Sequence, residues 1–343
     1  MKNTFRKLVK ASLVLVYLVI IAGAVVRMTG SGMGCPDWPK CFGYYIPPTE
    51  EAQLQWQPDT FYKKGRIIIV DEALRIADQD LTSTATFNGT NWSSYTKHDY
   101  ALFNPLHTWI EYINRLIGAL SGIPILVMTV LSFWLWRRSK WLTILSVLTV
   151  FGMGFQAWLG KTVVDSNLAP FKITIHMVMA LVIVAFLLYL LHLSRERGST
   201  SYHSAFKNLM LLALGLTLAQ VVLGTQVRQF VDEQVKLVGY EYPELWLAYP
   251  KLDFYIHRTF SIVVLGVNTW LFYLNRKLKL NFRLMNWVMA ILFAEIATGI
   301  AMYYVDFPFG SQPLHLVLAT LLFGLQFHLY LESRRVRLPK ESL

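Results

Sequence analysis

Eight apolar stretches, each near the length that spans a lipid bilayer, constrain this chain more than any other feature of its sequence. A transmembrane helix needs about 20 predominantly apolar residues. The stretches are residues 11–26, 110–136, 141–159, 173–193, 209–225, 255–274, 284–304 and 314–331. Hydrophobic residues make up 55% of the chain and charged residues 15%, a composition outside the range of soluble globular domains. The sequence therefore predicts an all-α membrane protein with eight transmembrane helices.

The basic residues lie in clusters at the ends of these stretches. The clusters are Lys2, Arg6, Lys7 and Lys10; Arg137, Arg138 and Lys140; Arg195, Arg197 and Lys207; Arg276, Lys277, Lys279 and Arg283; and Arg334, Arg335, Arg337 and Lys340. If eight helices alternate in direction, all the clusters fall on one side of the membrane. The positive-inside rule then predicts that both termini are cytoplasmic. Because this topology accounts for the net charge of +11, no nucleic-acid partner is needed to explain it.

The first apolar stretch has a second interpretation, since a basic start, an apolar core and the small residues Ala22, Gly23 and Ala24 also occur in cleaved signal peptides. Cleavage would remove the first helix and break the charge pattern that the other seven follow. We therefore expect the stretch to remain as a membrane helix. An amphipathic, serine-rich transit peptide is absent from the sequence, which favours a bacterial plasma membrane over an organelle.

A long outer loop, residues 28–106, follows the first helix and is expected to fold as a cap that is partly β or irregular. The chain has two cysteines, Cys35 and Cys41, and both lie in this loop. The predicted topology places them on the outer side, where oxidising surroundings permit a disulfide. The alternative is a pair of separately packed thiols.

An internal repeat divides the chain into two similar parts. Q-A-W-L-G ends at Gly160 and E-I-A-T-G ends at Gly299, and a histidine follows sixteen residues later in both cases. In the same order, G-A-V-V-R at 23–27 matches G-T-Q-V-R at 224–228, and E-Y-I-N-R at 111–115 matches F-Y-I-H-R at 254–258. These matches predict two pseudo-symmetric four-helix halves, residues 1–195 and 205–335, with the same orientation in the membrane.

The repeat places four polar residues at one depth, because Asn114, His176, His257 and His315 each lie in the first turns of a helix that enters from the outer side. A single histidine in such a place is often only packed or hydrogen-bonded. Two imidazoles on facing helices of one bundle are what a six-coordinate haem iron needs, and His257 and His315 fit that role. Zinc is the competing metal but would need three or four ligands. The other histidines of the helix ends, His192, His203 and His328, are interpreted as interfacial or solvated.

Four arginines accompany these positions and are candidates for binding the carboxylates of a haem. Arg115 and Arg258 each follow one of the marked residues, and Arg27 and Arg228 lie at the outer ends of the first and fifth helices. A guanidinium binds a carboxylate through two parallel hydrogen bonds. Ordinary interfacial placement of long basic side chains is the alternative.

The two halves differ at the matching positions Glu111 and Phe254, and at Asn114 and His257. Glu111 lies three residues before Asn114 and therefore on the same helix face. The C-terminal half is expected to hold its cofactor with both axial positions filled. The N-terminal half, with a single marked histidine and a carboxylate, is expected to do chemistry that moves a proton. Alternatively, Glu111 is a buried hydrogen-bonding group that fixes Arg115 or Trp109.

Five segments together carry a family resemblance. They are G-A-V-V-R-M-T-G-S-G-M-G-C-P-D-W-P-K-C at 23–41, E-Y-I-N-R at 111–115, T-I-H-M around His176, Y-I-H-R around His257 and P-L-H ending at His315. Over nearly its whole length the chain resembles the haem A synthase family, enzymes that oxidise a methyl group of haem O to the formyl group of haem A for cytochrome oxidases. The resemblance implies eight helices in two pseudo-symmetric bundles and successive hydroxylations of the methyl group.

The resemblance also implies a role for each half. His257 and His315 would bind haem B, while Glu111 and His176 would belong to the substrate site, and Cys35 and Cys41 would form a disulfide. Haem O would be the substrate, and a haem O synthase and cytochrome oxidase assembly factors are expected partners within the lipid bilayer.

One position departs from the family pattern, which usually has histidine where this chain has Asn114. The substrate iron would then bind His176 alone and keep an open position. His107, about two turns upstream on the same helix face, is a second possible ligand, and a changed activity is a third account. A dihaem electron carrier similar to cytochrome b is the rival function, but it would be expected to have paired histidines in both halves. A repeat-built transporter ranks below both, because such proteins more often show inverted repeats.

Overall fold

Eight α-helices dominate the computed structural model, which describes residues 1–96, 103–166, 168–195 and 202–334. The helices are α1 (Lys2–Met28), α2 (Pro105–Trp134), α3 (Lys140–Asp165), α4 (Pro170–Leu193), α5 (Ser204–Val238), α6 (Leu252–Lys277), α7 (Leu284–Tyr304) and α8 (Ser311–Ser333). Four residues of the predicted cytoplasmic clusters, Arg197, Arg335, Arg337 and Lys340, lie outside the described residues. The prediction of an all-α membrane protein is confirmed.

Seven of these helices are long and apolar enough to cross a membrane, and α6 is the helix left out. Its polar residues include His257, Arg258, Asn268 and Asn275. The two asparagines are buried and satisfied within the protein, since Asn268 Oδ1 accepts a hydrogen bond from Gln326 Nε2 at 3.0 Å and Asn275 Nδ2 donates to a backbone carbonyl. Polar groups partnered in this way can be held inside a membrane protein. An eighth crossing by α6 stays a prediction.

Local sequence accounts for where several helices begin and end. Asn104 caps α2 by accepting a hydrogen bond from the backbone N–H of His107 at 3.1 Å, and Pro105 follows at the first helical position. Helix α5 continues well past the predicted end at residue 225. Its last turns are amphipathic, and Phe230 and Val235 pack in a small core with Trp246 of the following loop. This packing stabilises the extension.

Helices that are consecutive in the chain pack in pairs, α1 with α2, α3 with α4, α5 with α6 and α7 with α8. One apolar core is built mainly from α1 to α4 around Phe5, Met128 and Leu187, and a second mainly from α5 to α8 around Phe206 and Met285. Helix α8 also packs against α1, α4 and α5. The division into halves at 1–195 and 205–335 therefore stays a prediction, although the two cores are consistent with it.

The segment between α1 and α2 folds as a small cap with five short antiparallel strands, as far as the structure describes it. They are β1 (Phe61–Tyr62), β2 (Ile67–Val70), β3 (Ala73–Ala77), β4 (Leu81–Thr82) and β5 (Trp92–Ser94), paired as β1–β4 and as β2–β3–β5. The β2–β3 hairpin turns at Asp71 and Glu72, which both have positive φ, the backbone that a tight hairpin turn needs. Trp56, Tyr62 and Trp92 pack on one another as an aromatic core. The expectation of a partly β cap is confirmed.

Candidate functional site

Each of the four marked polar residues lies against a glycine of the neighbouring helix. A Cβ atom added to these glycines would lie 3.8 Å from Asn114 Oδ1 at Gly23, 3.4 Å from His176 Cε1 at Gly160, 3.1 Å from His257 Cε1 at Gly224 and 3.7 Å from His315 Cε1 at Gly299. At Gly224 an added Cβ would be tighter than ordinary contact, and at the other three it would be in van der Waals contact with the polar side chain. The structure thus repeats one local arrangement at the four positions that the sequence repeat marks.

The two histidines of the C-terminal half face each other across a short gap. The ring centroids of His257 and His315 are 6.4 Å apart, with an angle of 73° between the ring planes. Once the ring radii are subtracted, this separation leaves room for two metal–imidazole bonds of about 2 Å each. The Nδ1 atom of His257 is buried without a hydrogen-bond partner among the described residues. The spacing of the two rings is compatible with one metal ion between them, and a haem bound by two imidazoles stays a prediction.

The corresponding site of the N-terminal half contains two buried polar atoms without partners. These atoms are Oδ1 of Asn114 and Nδ1 of His176, which make no hydrogen bond within the part of the chain that the structure describes. Gln156 Nε2 donates to the backbone carbonyl of His176 at 3.0 Å and ties α3 to α4 at this level. Unpartnered buried polar groups are costly. A ligand that supplies partners would therefore be favoured at this site.

Glu111 lies under the cap, and its carboxylate is bound on both sides. The residue is 4% exposed. Its Oε2 accepts a hydrogen bond from the backbone N–H of Cys35 at 2.8 Å, and its Oε1 forms an ion pair with Arg115. Of the two alternative partners, Arg115 is therefore the one that Glu111 contacts, while Trp109 packs against Tyr112. A catalytic role of Glu111 stays a prediction.

Arg115 holds the cysteine segment of the cap onto α2. Its Nη1 donates to the carbonyls of Asp37 at 2.7 Å and Lys40 at 2.9 Å, and its Nη2 to the carbonyl of Cys35 at 3.4 Å. A haem carboxylate at Arg115 would compete with these acceptors, and such a contact stays a prediction. Sequence reasoning missed this role of Arg115, because backbone carbonyls leave no signal in the sequence.

The cysteine segment itself is buried and bonded. Cys35 and Cys41 form the expected disulfide, which confirms that prediction. Gly34 packs so closely on α2 that an added Cβ would lie 2.5 Å from the backbone of His107. The Tyr95 hydroxyl donates to the carbonyl of Pro36 at 2.7 Å, and burial raises the pKa of Tyr95 to about 12.

Arg27 and Arg228 meet at one aspartate that joins α1 to α5. Arg27 binds Asp232 Oδ2 through Nε at 3.1 Å and Nη2 at 2.8 Å, and Arg228 Nη2 lies 2.8 Å from Oδ1 of the same carboxylate. Two guanidinium groups share one carboxylate, which leaves net positive charge. The Nη1 atom of Arg228 is buried and has no partner within the described ranges. This atom could donate to an anion such as a haem carboxylate.

The remaining candidate arginine and two of the histidines near helix ends make contacts of other kinds. Arg258 is exposed and lies over the rings of Phe254 and Tyr255 at 5.7 Å and 5.3 Å, as expected for an interfacial basic side chain. His203 caps α5 and His328 lies 3.4 Å from Glu332. Among the described residues no group of three or more His, Cys, Asp and Glu side chains could hold a metal, so nothing described supports the zinc alternative.

Fold and site together define a multi-pass helical membrane protein that gathers imidazoles and polar side chains at the end of the bundle that carries the cap. The chain belongs to the COX15-CtaA family, described as cytochrome oxidase assembly proteins, whose family model matches residues 6–68 and 93–327. The family resemblance of the sequence motifs is thereby confirmed.

Several relatives carry the name Heme A synthase. The protein of Flavobacterium psychrophilum is 22% identical over 335 residues, covering 90% of this chain and 91% of the relative. The protein of Jannaschia sp. is 22% identical over 343 residues, covering 90% and 83%. The protein of Shewanella oneidensis is 26% identical over 220 residues, which cover 63% of this chain and 54%, about half, of that relative.

Proposed function

We propose that this protein is a haem A synthase, which oxidises a methyl group of haem O to the formyl group of haem A. Family membership supports this function, as does the shared name of relatives that align over 90% of the chain. The observation that carries it is the contrast between two similar sites. One site has two imidazoles at the spacing of a bis-histidine haem, and at the matching positions the other has one imidazole, His176, and one amide, Asn114, each with a buried polar atom that has no partner among the described residues.

The C-terminal site would hold haem B as a resident cofactor. His257 and His315 would be its axial ligands, and the haem would supply one-electron transfer. Gln220 Nε2 donates to the backbone carbonyl of His257 at 3.0 Å and fixes the helix turn that presents this ligand. Because both axial positions would be filled by protein, the site would be suited to electron transfer rather than to reaction at the iron.

The N-terminal site would hold the substrate haem. His176 would bind the iron of haem O, and Asn114 would leave the opposite axial position open, since an amide is a poor haem ligand. Glu111 would move a proton near the methyl group that reacts. Its present partners, Cys35 and Arg115, link that carboxylate to the cap above the site. His107, seven residues before Asn114 and so about two turns nearer the start of α2, would be the alternative ligand.

Haem carboxylates would be bound at the cap-side end of the bundle. Arg228 is the strongest of the four candidates, because among Arg27, Arg115, Arg228 and Arg258 it alone has a buried nitrogen without a partner in the described residues. Arg27 binds the same Asp232 carboxylate as Arg228 and is a second candidate. Arg258 and Arg115 are further candidates.

The expected setting is a bacterial plasma membrane with both termini in the cytoplasm, so that the cap faces the outer side. A haem O synthase would be a suitable partner, because so hydrophobic a substrate gains from direct handover. Cytochrome oxidase assembly factors would receive the product.

The test is mass analysis of the pigments extracted from purified protein, expressed with and without a supply of haem O. Wild type should contain haem A or its hydroxylated precursor, and Glu111→Ala should lose both while it keeps haem B. If every sample held only haem B despite available haem O, the rival electron-carrier function would be favoured.

A further inference from the structure

Helix α7 carries a carboxylate at a position where helices α3 and α5 have an amide. Glu295 lies four residues before its repeat glycine, and Gln156 and Gln220 occupy the same place in α3 and α5. Each glutamine donates from Nε2 to the backbone carbonyl of the histidine on the next helix, at 3.0 Å to His176 and 3.0 Å to His257. An ionised carboxylate has no proton to donate, so Glu295 cannot make this contact in the same way.

Glu295 instead contacts the imidazole of His315. Its Oε2 lies 3.1 Å from Nδ1, and the hydroxyl oxygen of Thr298 lies 2.8 Å from the same nitrogen. The Thr298 hydroxyl also lies within 3.0 Å of the backbone carbonyls of Ala294 and Glu295, to which it can donate. Its lone pair then faces Nδ1. When the Glu295 carboxylate and the Thr298 hydroxyl both accept at Nδ1, that nitrogen carries the proton and Nε2 keeps its lone pair for a metal.

The other two marked histidines lack this arrangement. Nδ1 of His257 and Nδ1 of His176 are both buried, and neither has a hydrogen-bond partner in the described part of the chain. The side chain of Glu295 is 12% exposed, and its Oε1 is buried without a partner in the same part. Of the three marked histidines, only His315 has a carboxylate, that of Glu295, next to its Nδ1 among the described residues.

We propose that Glu295 is a positioning residue that, together with Thr298, holds His315 with Nε2 toward the haem iron and lowers the reduction potential of the resident haem. The proposal rests on the proposed function, because it requires a haem between His257 and His315. A carboxylate that accepts a hydrogen bond from a metal-bound histidine makes the imidazole a stronger electron donor. It thereby stabilises ferric over ferrous iron, since ferric iron has the greater positive charge. The lowered potential makes this haem a stronger one-electron donor to the substrate half.

The test is a potentiometric titration of the haem-loaded, purified protein, followed by its visible absorption spectrum. The variants are Glu295→Gln, which introduces the amide found at this position in α3 and α5, and Glu295→Asp, which keeps the carboxylate. The control is Glu332→Gln, which removes a carboxylate from the opposite end of α8, where it pairs with Arg195 at 2.6 Å.

Glu295→Gln should keep the haem and its bis-imidazole spectrum and shift the reduction equilibrium about tenfold toward ferrous haem, about 59 mV for a one-electron couple. Glu295→Asp should shift it less, and Glu332→Gln should match wild type. A Glu295→Gln protein with the wild-type potential would overturn the proposal. If that variant lost its haem, Thr298→Val must show an upward shift, and an unchanged potential there would overturn the proposal as well. A wild-type protein without a bis-imidazole spectrum would instead contradict the proposed haem B site.

Discussion

Replacement of Arg115 by methionine should release the cap from the helical bundle. The substitution removes the hydrogen bonds from the guanidinium to the carbonyls of Asp37, Lys40 and Cys35 and leaves Glu111 without its ion-pair partner. Both side chains are largely buried, at 14% and 5% exposed, so solvent screens the pair only weakly. Removing one member of a buried pair costs about 3–5 kcal/mol. The closed state of the cap should lose about that much stability.

Limited proteolysis in detergent measures this loss, because cleavage follows the population of the open cap when opening and closing are fast. Since about 1.4 kcal/mol corresponds to a factor of ten, a loss of 3 kcal/mol predicts cleavage about a hundredfold faster in Arg115→Met than in wild type. The repeat offers a matched control in Arg258, which is exposed and lies over the ring of Phe254 on its own helix. Arg258→Met should change cap cleavage by less than about threefold.

A double variant separates the ion pair from the carbonyl contacts. Adding Glu111→Gln to Arg115→Met should restore part of the lost stability, because the double variant has no buried unpaired charge. Equal cleavage rates in wild type, Arg115→Met and Arg258→Met would refute the assignment of Arg115 as the residue that fastens the cap.

Three further outcomes follow from the close contacts and the titrating groups of the structure. Gly34→Ala should lower the thermal midpoint by overpacking against α2, at a cost of about 1–3 kcal/mol, whereas Gly89→Ala, whose Cβ would meet only a ring atom at 3.8 Å, should not. Gly224→Val should reduce the haem content measured by absorption, because it displaces an imidazole 3.1 Å away, whereas Gly215→Val, which meets nothing within 4 Å, should keep the haem. Burial raises the pKa of Tyr95 from 10.0 to about 12, so the folded cap keeps this proton where the unfolded chain loses it, and stability should fall as pH rises through that window. The resistance of the cap to protease should therefore fall less with rising pH in Tyr95→Phe than in wild type. An identical pH profile in the two proteins would contradict the raised pKa of Tyr95.

Much of the architecture follows from patterns that are local in the sequence. Apolar length predicts the helices, and the glycine and histidine spacings predict which positions recur, since both depend on residues a few turns apart. The structure then places the glycines Gly160, Gly224 and Gly299 against the imidazoles that follow them. Helix α6 is harder to predict as a membrane crossing, because two buried asparagines lower its hydropathy and Gln326, the partner of Asn268, lies on α8, 58 residues away in the sequence.

The details of the candidate site depend on contacts that the sequence does not encode locally. Asp232 joins Arg27 to Arg228 from a part of α5 that extends beyond the apolar stretch. Arg115 binds backbone carbonyls of the cap, which every residue type offers equally. The contact between Glu295 and His315 is visible in the sequence only as a carboxylate at the position where α3 and α5 have glutamine. Such a break in a repeat is the signal most useful for finding further functional residues.

The most direct measurement is incubation of purified wild type and His176→Ala with haem O and a reductant under air, followed by mass analysis of the extracted haems. Haem A or its hydroxylated precursor should form in wild type and not in His176→Ala, while both proteins keep their haem B. Equal conversion in both proteins would contradict a substrate site at His176, and no conversion in either, despite bound haem O, would contradict the proposed activity itself.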